Sequence, residues 1–187
     1  MPTQEVCIVP TKPDNFRLPR ERLGISRLDT GPDKPGSHDI VGVLLQQNHD
    51  KHHMYFRDIA GHNHIPHAIL TTMAMGGTVK ELRRAYDDGE AIQRPKTAPD
   101  PIAVGEMEDP FKFLDRMQEI EEYSNFLAFF EKEFEANQGQ WQDVFNHFVF
   151  ARNPQSDFLL AQMFEGLYHP LIHLSFGVEF ELSRACG

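Results

Sequence analysis

The ten histidines of this chain are unevenly placed, and their grouping is the first feature able to do chemistry. His169 and His173 stand four apart in HPLIHL, so on a helix both imidazoles leave the same face and can reach one metal ion. His64 and His67, three apart in HNHIPHAIL, form a second pair, with His62 just before it as a spare donor. Histidine pairs on two helices are how bundle proteins build metal sites. Glu165, four residues before His169, is the next candidate ligand or an acceptor for an imidazole N–H, and Glu179 is a more distant one. One HxxxH pair is equally well explained by hydrogen-bonded core imidazoles. Two pairs set among Ile65, Ile69, Leu171 and Ile172 favour a metal, because a buried imidazole needs a partner. Imidazoles without thiolates suit iron, copper, nickel or zinc, and open coordination positions point to non-haem iron rather than structural zinc. The segment QQNHDKHH, carrying His49, His52 and His53, is polar on all sides and reads as a solvated helix end.

Helices must position these groups. Ile40, Val41, Leu44 and Leu45 have helical spacing, with Ser37 placed to cap a first helix that runs to about Phe56. Gly61 breaks it, and a second helix follows with Asn63 as cap and Pro66 in its first turn, ending at Gly76-Gly77. Thr78-Val79-Lys80-Glu81 is a capping box opening a third helix to about Asp88. The proline-rich stretch from Ala91 to Pro110 reads as a long loop, a candidate lid. Phe126, Leu127, Phe130 and Phe134 share one face of a helix from about Glu121 to Gln138, and Val144, Phe145 and Phe148 repeat the pattern after Gly139. Ser156 caps a last stretch through Leu167, which Pro170 kinks or restarts. No strand alternation and no internal repeat is present. The fold expected is therefore all-α, an irregular bundle of about six or seven helices over residues 37–187, with an extended proline-rich arm over residues 1–36.

Composition narrows the function. Hydrophobic residues at 40% and charged residues at 25% fit a folded globular chain. A net charge of −10 disfavours nucleic acid as a partner. The chain has no apolar run of roughly 18 residues and no signal-like N-terminus, so no membrane partner and a cytoplasmic location are expected. Cys7 and Cys186, one near each end, cannot form a disulfide framework or a thiolate cluster. Dinucleotide, phosphate-loop and elbow-serine motifs are all missing.

The order LLQQNHDKHHMYFRD, GHNHIPHAIL, ELRRAYDDGEAIQRP and LYHPLIHLSFGVEF resembles the questin oxidase-like family over most of residues 38–182. Its most specific parts are Asn63 to His67 and His169 to Leu174 with Gly177 to Phe180. The resemblance implies an oxygen-dependent oxidoreductase of fungal secondary metabolism. Such an enzyme opens a ring of an anthraquinone-like polyketide by Baeyer–Villiger-type insertion or a related cleavage. It also implies a His-rich metal centre, with NADPH as reductant and dioxygen and a planar aromatic molecule as substrates. Two departures matter. Family chains are about twice this length, so the site is expected to need self-association, as a homodimer, or a second subunit. Ala68 stands where the family often has another histidine. The competing expectation is a truncated, non-catalytic relative that binds a small aromatic molecule or a partner. Tyr55, Phe56, Tyr168 and Phe176 neighbour the histidines and can stack on a flat ring or simply pack.

Overall fold

The computed structural model describes residues 34–58, 61–180 and 182. The expected arm, all but its last three residues, and both cysteines lie outside the described residues. Within them the chain is all-α, as expected, with nine α-helices, two 3₁₀ turns and no strand. The first helices are α1 (Ser37–Lys51), α2 (Ile65–Ala74) and α3 (Val79–Glu90). Next come α4 (Pro101–Glu106), α5 (Pro110–Arg116) and, after the 3₁₀ turn Ile120–Glu122, α6 (Tyr123–Ala136). The chain continues through α7 (Trp141–Phe150) and α8 (Pro154–Gln162), and after the 3₁₀ turn Gly166–Tyr168 through α9 (His169–Glu179). No helix among them is long and apolar enough to cross a membrane.

Two separate cores form. In the first, Val41, Leu44 and Leu45 of α1 meet Ile65, Ile69 and Met73 of α2 and Leu82 and Tyr86 of α3, with Phe180 and Leu182 closing it from beyond α9. The second is phenylalanine-rich and gathers Phe113 of α5, Phe129 and Phe134 of α6, Phe148 of α7 and Leu159 of α8. Phe113, fully buried, meets Phe126, Phe129 and Phe130 edge-on and stacks on Phe148. Edge-to-face contact brings the positive ring edge onto the negative ring face, adding about 1 kcal/mol per pair beyond area burial. α2 belongs to the first core and α9 packs back onto it, so the histidine-bearing segments lie along the seam between the cores.

Several boundaries differ from expectation. The first helix stops at Lys51, five residues early, because the chain turns extended at His52. His52 then bridges Pro95, and the backbone N–H of His53 donates to Arg94. Gly36, left-handed at φ 76°, takes the cap position expected of Ser37, whose hydroxyl instead donates to Gly77 O across the fold. The stretch from Ala91 to Pro110 is not a loop throughout, since α4 starts within it at Pro101 and α5 at Pro110. Asp100 and Asp109 cap these two helices by accepting from Ile102 and Phe111 N–H. Proline at the first helical position costs nothing there, because that N–H has no intrahelical partner. Asn153, not Ser156, caps α8, and Ser156 closes the capping box from three residues on. The Thr78–Glu81 box forms as read.

Candidate functional site

Asn63 organises the first half of the site. It is buried at 2% exposure; its Nδ2 donates to Asn48 Oδ1 at 2.8 Å and its Oδ1 accepts from Ile65 N–H at 3.0 Å. Its own N–H donates to Met54 O, which closes a short loop on which Tyr55 bridges His62. With its backbone and side chain both tied, the flanking His62 and His64 are held at the entry to α2, and His67 follows one turn on.

The second half is set by the turn before α9. Leu167 and Tyr168 are both left-handed, at φ 59° and 62°, and bring His169 to the first position of the helix with Pro170 next. Consecutive left-handed non-glycine residues are uncommon, and each costs about 1–2 kcal/mol. His169 Nδ1 donates to Gly166 O at 2.7 Å, so its Nε2 carries the free lone pair.

All five expected imidazoles come together here. His64 Nε2 lies 2.8 Å from His169 Nε2, and His67 Nε2 lies 3.1 Å from His173 Nδ1. His62 stacks on His169 with ring centroids 4.0 Å apart, and Phe176 stacks on His67 at 5.0 Å. Burial is the main force that keeps these rings neutral, and proton repulsion among them adds to it. His67 is pushed down to about 3, His62 and His173 to about 4, and His64 is lowered in the same sense. Metals bind the unprotonated imidazole, so the donor chemistry suits a metal ion. The arrangement is nevertheless pairwise, because among the described residues no three His, Cys, Asp or Glu side chains converge as a metal site. Glu165 lines a cavity beside His169.

His49, His52 and His53 depart from the solvated reading. His52 and His53 are buried at 9% and 3% exposure. His52 Nε2 meets Tyr86 OH at 3.1 Å, and that hydroxyl donates to Glu90. His53 Nδ1 accepts from Tyr55 N–H while its Nε2 donates to Ile120 O. His49 reaches Glu131 on α6 at 3.0 Å. These three tie α1 to its neighbours. A segment polar on every side can be buried when its partners are equally polar, and those partners lie 34 to 82 residues away.

Two cavities flank the imidazoles. The larger, about 1060 Å³, lies over His62, His64 and Ile65 and carries Asp88 and Glu165 in its wall. The smaller, about 280 Å³, is walled by Phe130, Phe134, Phe145, Phe148 and Leu174. His62 and His169 border both, as do Tyr55 and Met163. Sequence reasoning found the histidines but not the residues that aim them. Asn63 was read only as a helix cap and Gly166 not at all, although an asparagine between two histidines is a readable sign of a braced segment.

The profile of the Questin oxidase-like family matches residues 61–185. A Baeyer-Villiger oxidase, ptaJ, of Pestalotiopsis fici is 45% identical over 89% of this chain and 36% of its own length. A questin oxidase of Aspergillus terreus is 44% identical over 88% of the chain and 36% of its own length. The Baeyer-Villiger oxidase notM of an Aspergillus species is 43% identical over 91% and 35%. The chain thus spans about a third of the length of the curated relatives it matches.

Proposed function

The chain belongs to the questin oxidase-like family, and from that premise we propose that it carries part of an oxidoreductase centre for opening a ring of an anthraquinone-like aromatic polyketide. The observation that carries the reading is the meeting of two imidazole pairs, His64 with His169 and His67 with His173, beside two cavities that both border His169. The reaction proposed is Baeyer–Villiger-type. One atom of dioxygen enters between the quinone carbonyl carbon and its ring neighbour to give a lactone, and the other leaves as water. Two electrons and a proton come from a reductant such as NADPH with a proton from solvent, and addition of water to the lactone then opens the ring.

His64, His67, His169 and His173 would hold a redox metal, non-haem iron by preference, with His62 and Glu165 next in line. When bound, the metal supplies dioxygen activation. The protein's own part is separate from that chemistry. The Gly166 carbonyl fixes the His169 tautomer so that Nε2 faces His64. Phe176 keeps one face of His67 out of water, and burial holds the imidazoles unprotonated at neutral pH. Among the described residues the wall of the larger cavity carries Asp88 and Glu165 and neither lysine nor arginine, so they offer the phosphates of NADPH no cation there. We propose that the reductant docks elsewhere in the enzyme.

The test is to give the full chain ferrous iron, NADPH, oxygen and a panel of hydroxyanthraquinones, then to look by mass spectrometry for the lactone, one oxygen heavier, and for the opened acid, one oxygen and one water heavier. Iron uptake at about one ion per chain, lost in His169→Ala and His173→Ala with helix content unchanged, is the expected companion result. A folded chain that takes up no metal sinks the ligand assignment. The pairwise imidazole contacts favour one alternative, a small-aromatic-binding relative without turnover; it predicts ligand binding that is indifferent to iron.

A further inference from the structure

The two cavities differ in the chemistry of their walls, and that difference separates their occupants. The larger is bordered by Asp88, Gln118, Gln162 and Glu165, along with the backbone at Gly61 and Gly89. Among the described residues the smaller has no Asp, Glu, Lys or Arg in its wall. Three aromatic rings of the second core, Phe130, Phe145 and Phe148, face it, and Leu174 of α9 closes the end next to His173. Its polar lining among the described residues is His62, His169 and His173 with Tyr55 and Tyr123.

We propose that the cavity between α6, α7, α8 and α9 is the seat of the substrate, and that it selects a flat, uncharged two- or three-ring aromatic molecule whose one polar edge faces His62 and His169. This assignment rests on the oxidase reading above and adds to it which of the two cavities is used and what the ligand's charge must be. At about 280 Å³ the space is just below the usual range of small-ligand cavities, roughly 300 to 1,000 Å³, which limits the occupant to a compact ring system. A rigid ring system gives up little conformational freedom on entering it. An ionised group carried away from the imidazoles, among these phenylalanines, would be stripped of water with no counter-charge among the described residues, so the wall disfavours a ligand charged there. His62 borders this space, and a quinone carbonyl can accept a hydrogen bond from its ring N–H without adding charge. The specificity-determining residues are therefore Leu174 and the phenylalanines, not the acidic wall of the larger space.

The experiment titrates the full chain with neutral 1,8-dihydroxyanthraquinone and with anthraquinone-2-sulfonate. Affinity is read by calorimetry and location by carbon-13 methyl spectra. The seat predicts that the Leu174 and Val149 methyls shift while those of Ile92, in the larger cavity, do not. It also predicts that the sulfonate binds at least ten-fold more weakly, and that Leu174→Trp weakens the neutral probe at least ten-fold while Ile92→Trp changes it less than two-fold. The methyl readout uses the unaltered protein, so it decides the question even if Leu174→Trp fails to fold. Shifts confined to Ile92, equal or tighter sulfonate binding, or a neutral probe that does not bind would overturn the assignment. Binding in the smaller cavity without oxidation leaves the seat intact and counts against the oxidase. Oxidation that survives Leu174→Trp counts against the seat alone.

Discussion

Acidification of the metal-free protein is the perturbation whose effect the site dictates most directly. His62, His67 and His173 titrate near 4, 3 and 4 in the folded chain, against the ordinary 6.5 of the unfolded one. Between about pH 4 and 6.5 the unfolded chain therefore binds protons that the folded chain refuses. Stability is complete above 6.5 and falls as pH drops below it. At pH 5 the linkage is about 2 kcal/mol for each ring taken alone. Water reaches these partly buried rings, and each is depressed partly by the others, so the combined loss is on the order of 2–4 kcal/mol. The assay is urea unfolding followed by circular dichroism at pH 7 and pH 5, with EDTA present. Carboxylates such as Glu106 and Glu108, held below their usual range by Lys112, Arg116 and Lys132, lose their contribution only at lower pH. A His62→Gln, His67→Gln, His173→Gln variant should flatten the profile between pH 5 and 7. Equal stability at both pH values, or a slope unchanged in the triple variant, would refute the claim that these imidazoles are held neutral by the fold.

Three further outcomes are expected. Gly89→Ala should lower the melting temperature despite a helix-propensity gain of about 1 kcal/mol, because the new Cβ would stand 2.6 Å from Ile65 Cγ1 in the first core. Thr78→Ala removes the hydroxyl that accepts from Glu81 N–H and should cost about 1 kcal/mol by urea denaturation. Phe113→Ala empties the centre of the second core and should cost about 3–5 kcal/mol; a loss below 1 kcal/mol would mean that the phenylalanine cluster does not hold the core together.

The parts legible in the sequence are those fixed by neighbours along the chain. The Thr78 box and the apolar faces of α1 and α2 depend on contacts within a few residues and appear as read. By contrast, α6 and α7 are rotated so that Phe129 and Val149, outside the expected faces, are buried and Phe126, Phe130 and Phe145 are only half-buried. The histidine pairs were also legible, because three- and four-residue spacing puts side chains on one helix face. What spacing cannot carry is distance across the fold. Ser37 was given to its own helix, yet its hydroxyl serves Gly77, forty residues on. His52 and His53 looked solvated because their partners Tyr86 and Ile120 lie on other elements. Between Ala91 and Pro110 the error was chemical. Each Asp-Pro pair at 100–101 and 109–110 marks a helix start, and proline was taken only as a breaker. The joining of His64 to His169 across 105 residues is likewise a product of how α9 packs on α2.

The left-handed residues ahead of His169 carry a backbone cost that selection can act on. Leu167 and Tyr168 are 82% and 55% exposed, so neither is kept for the core, and both hold a backbone shape that glycine adopts freely. A laboratory selection for heat resistance would reward glycine at either position, since the relief outweighs the roughly 0.4–1 kcal/mol that glycine's freedom adds to the unfolded chain. Because glycine favours the same backbone shape, the change would keep the Gly166 carbonyl on the His169 ring and the imidazole turned toward His64. Heat-hardened variants carrying glycine at 167 or 168 should therefore gain stability while His169 stays aligned, so the backbone cost at this turn can be separated from the placing of the imidazole.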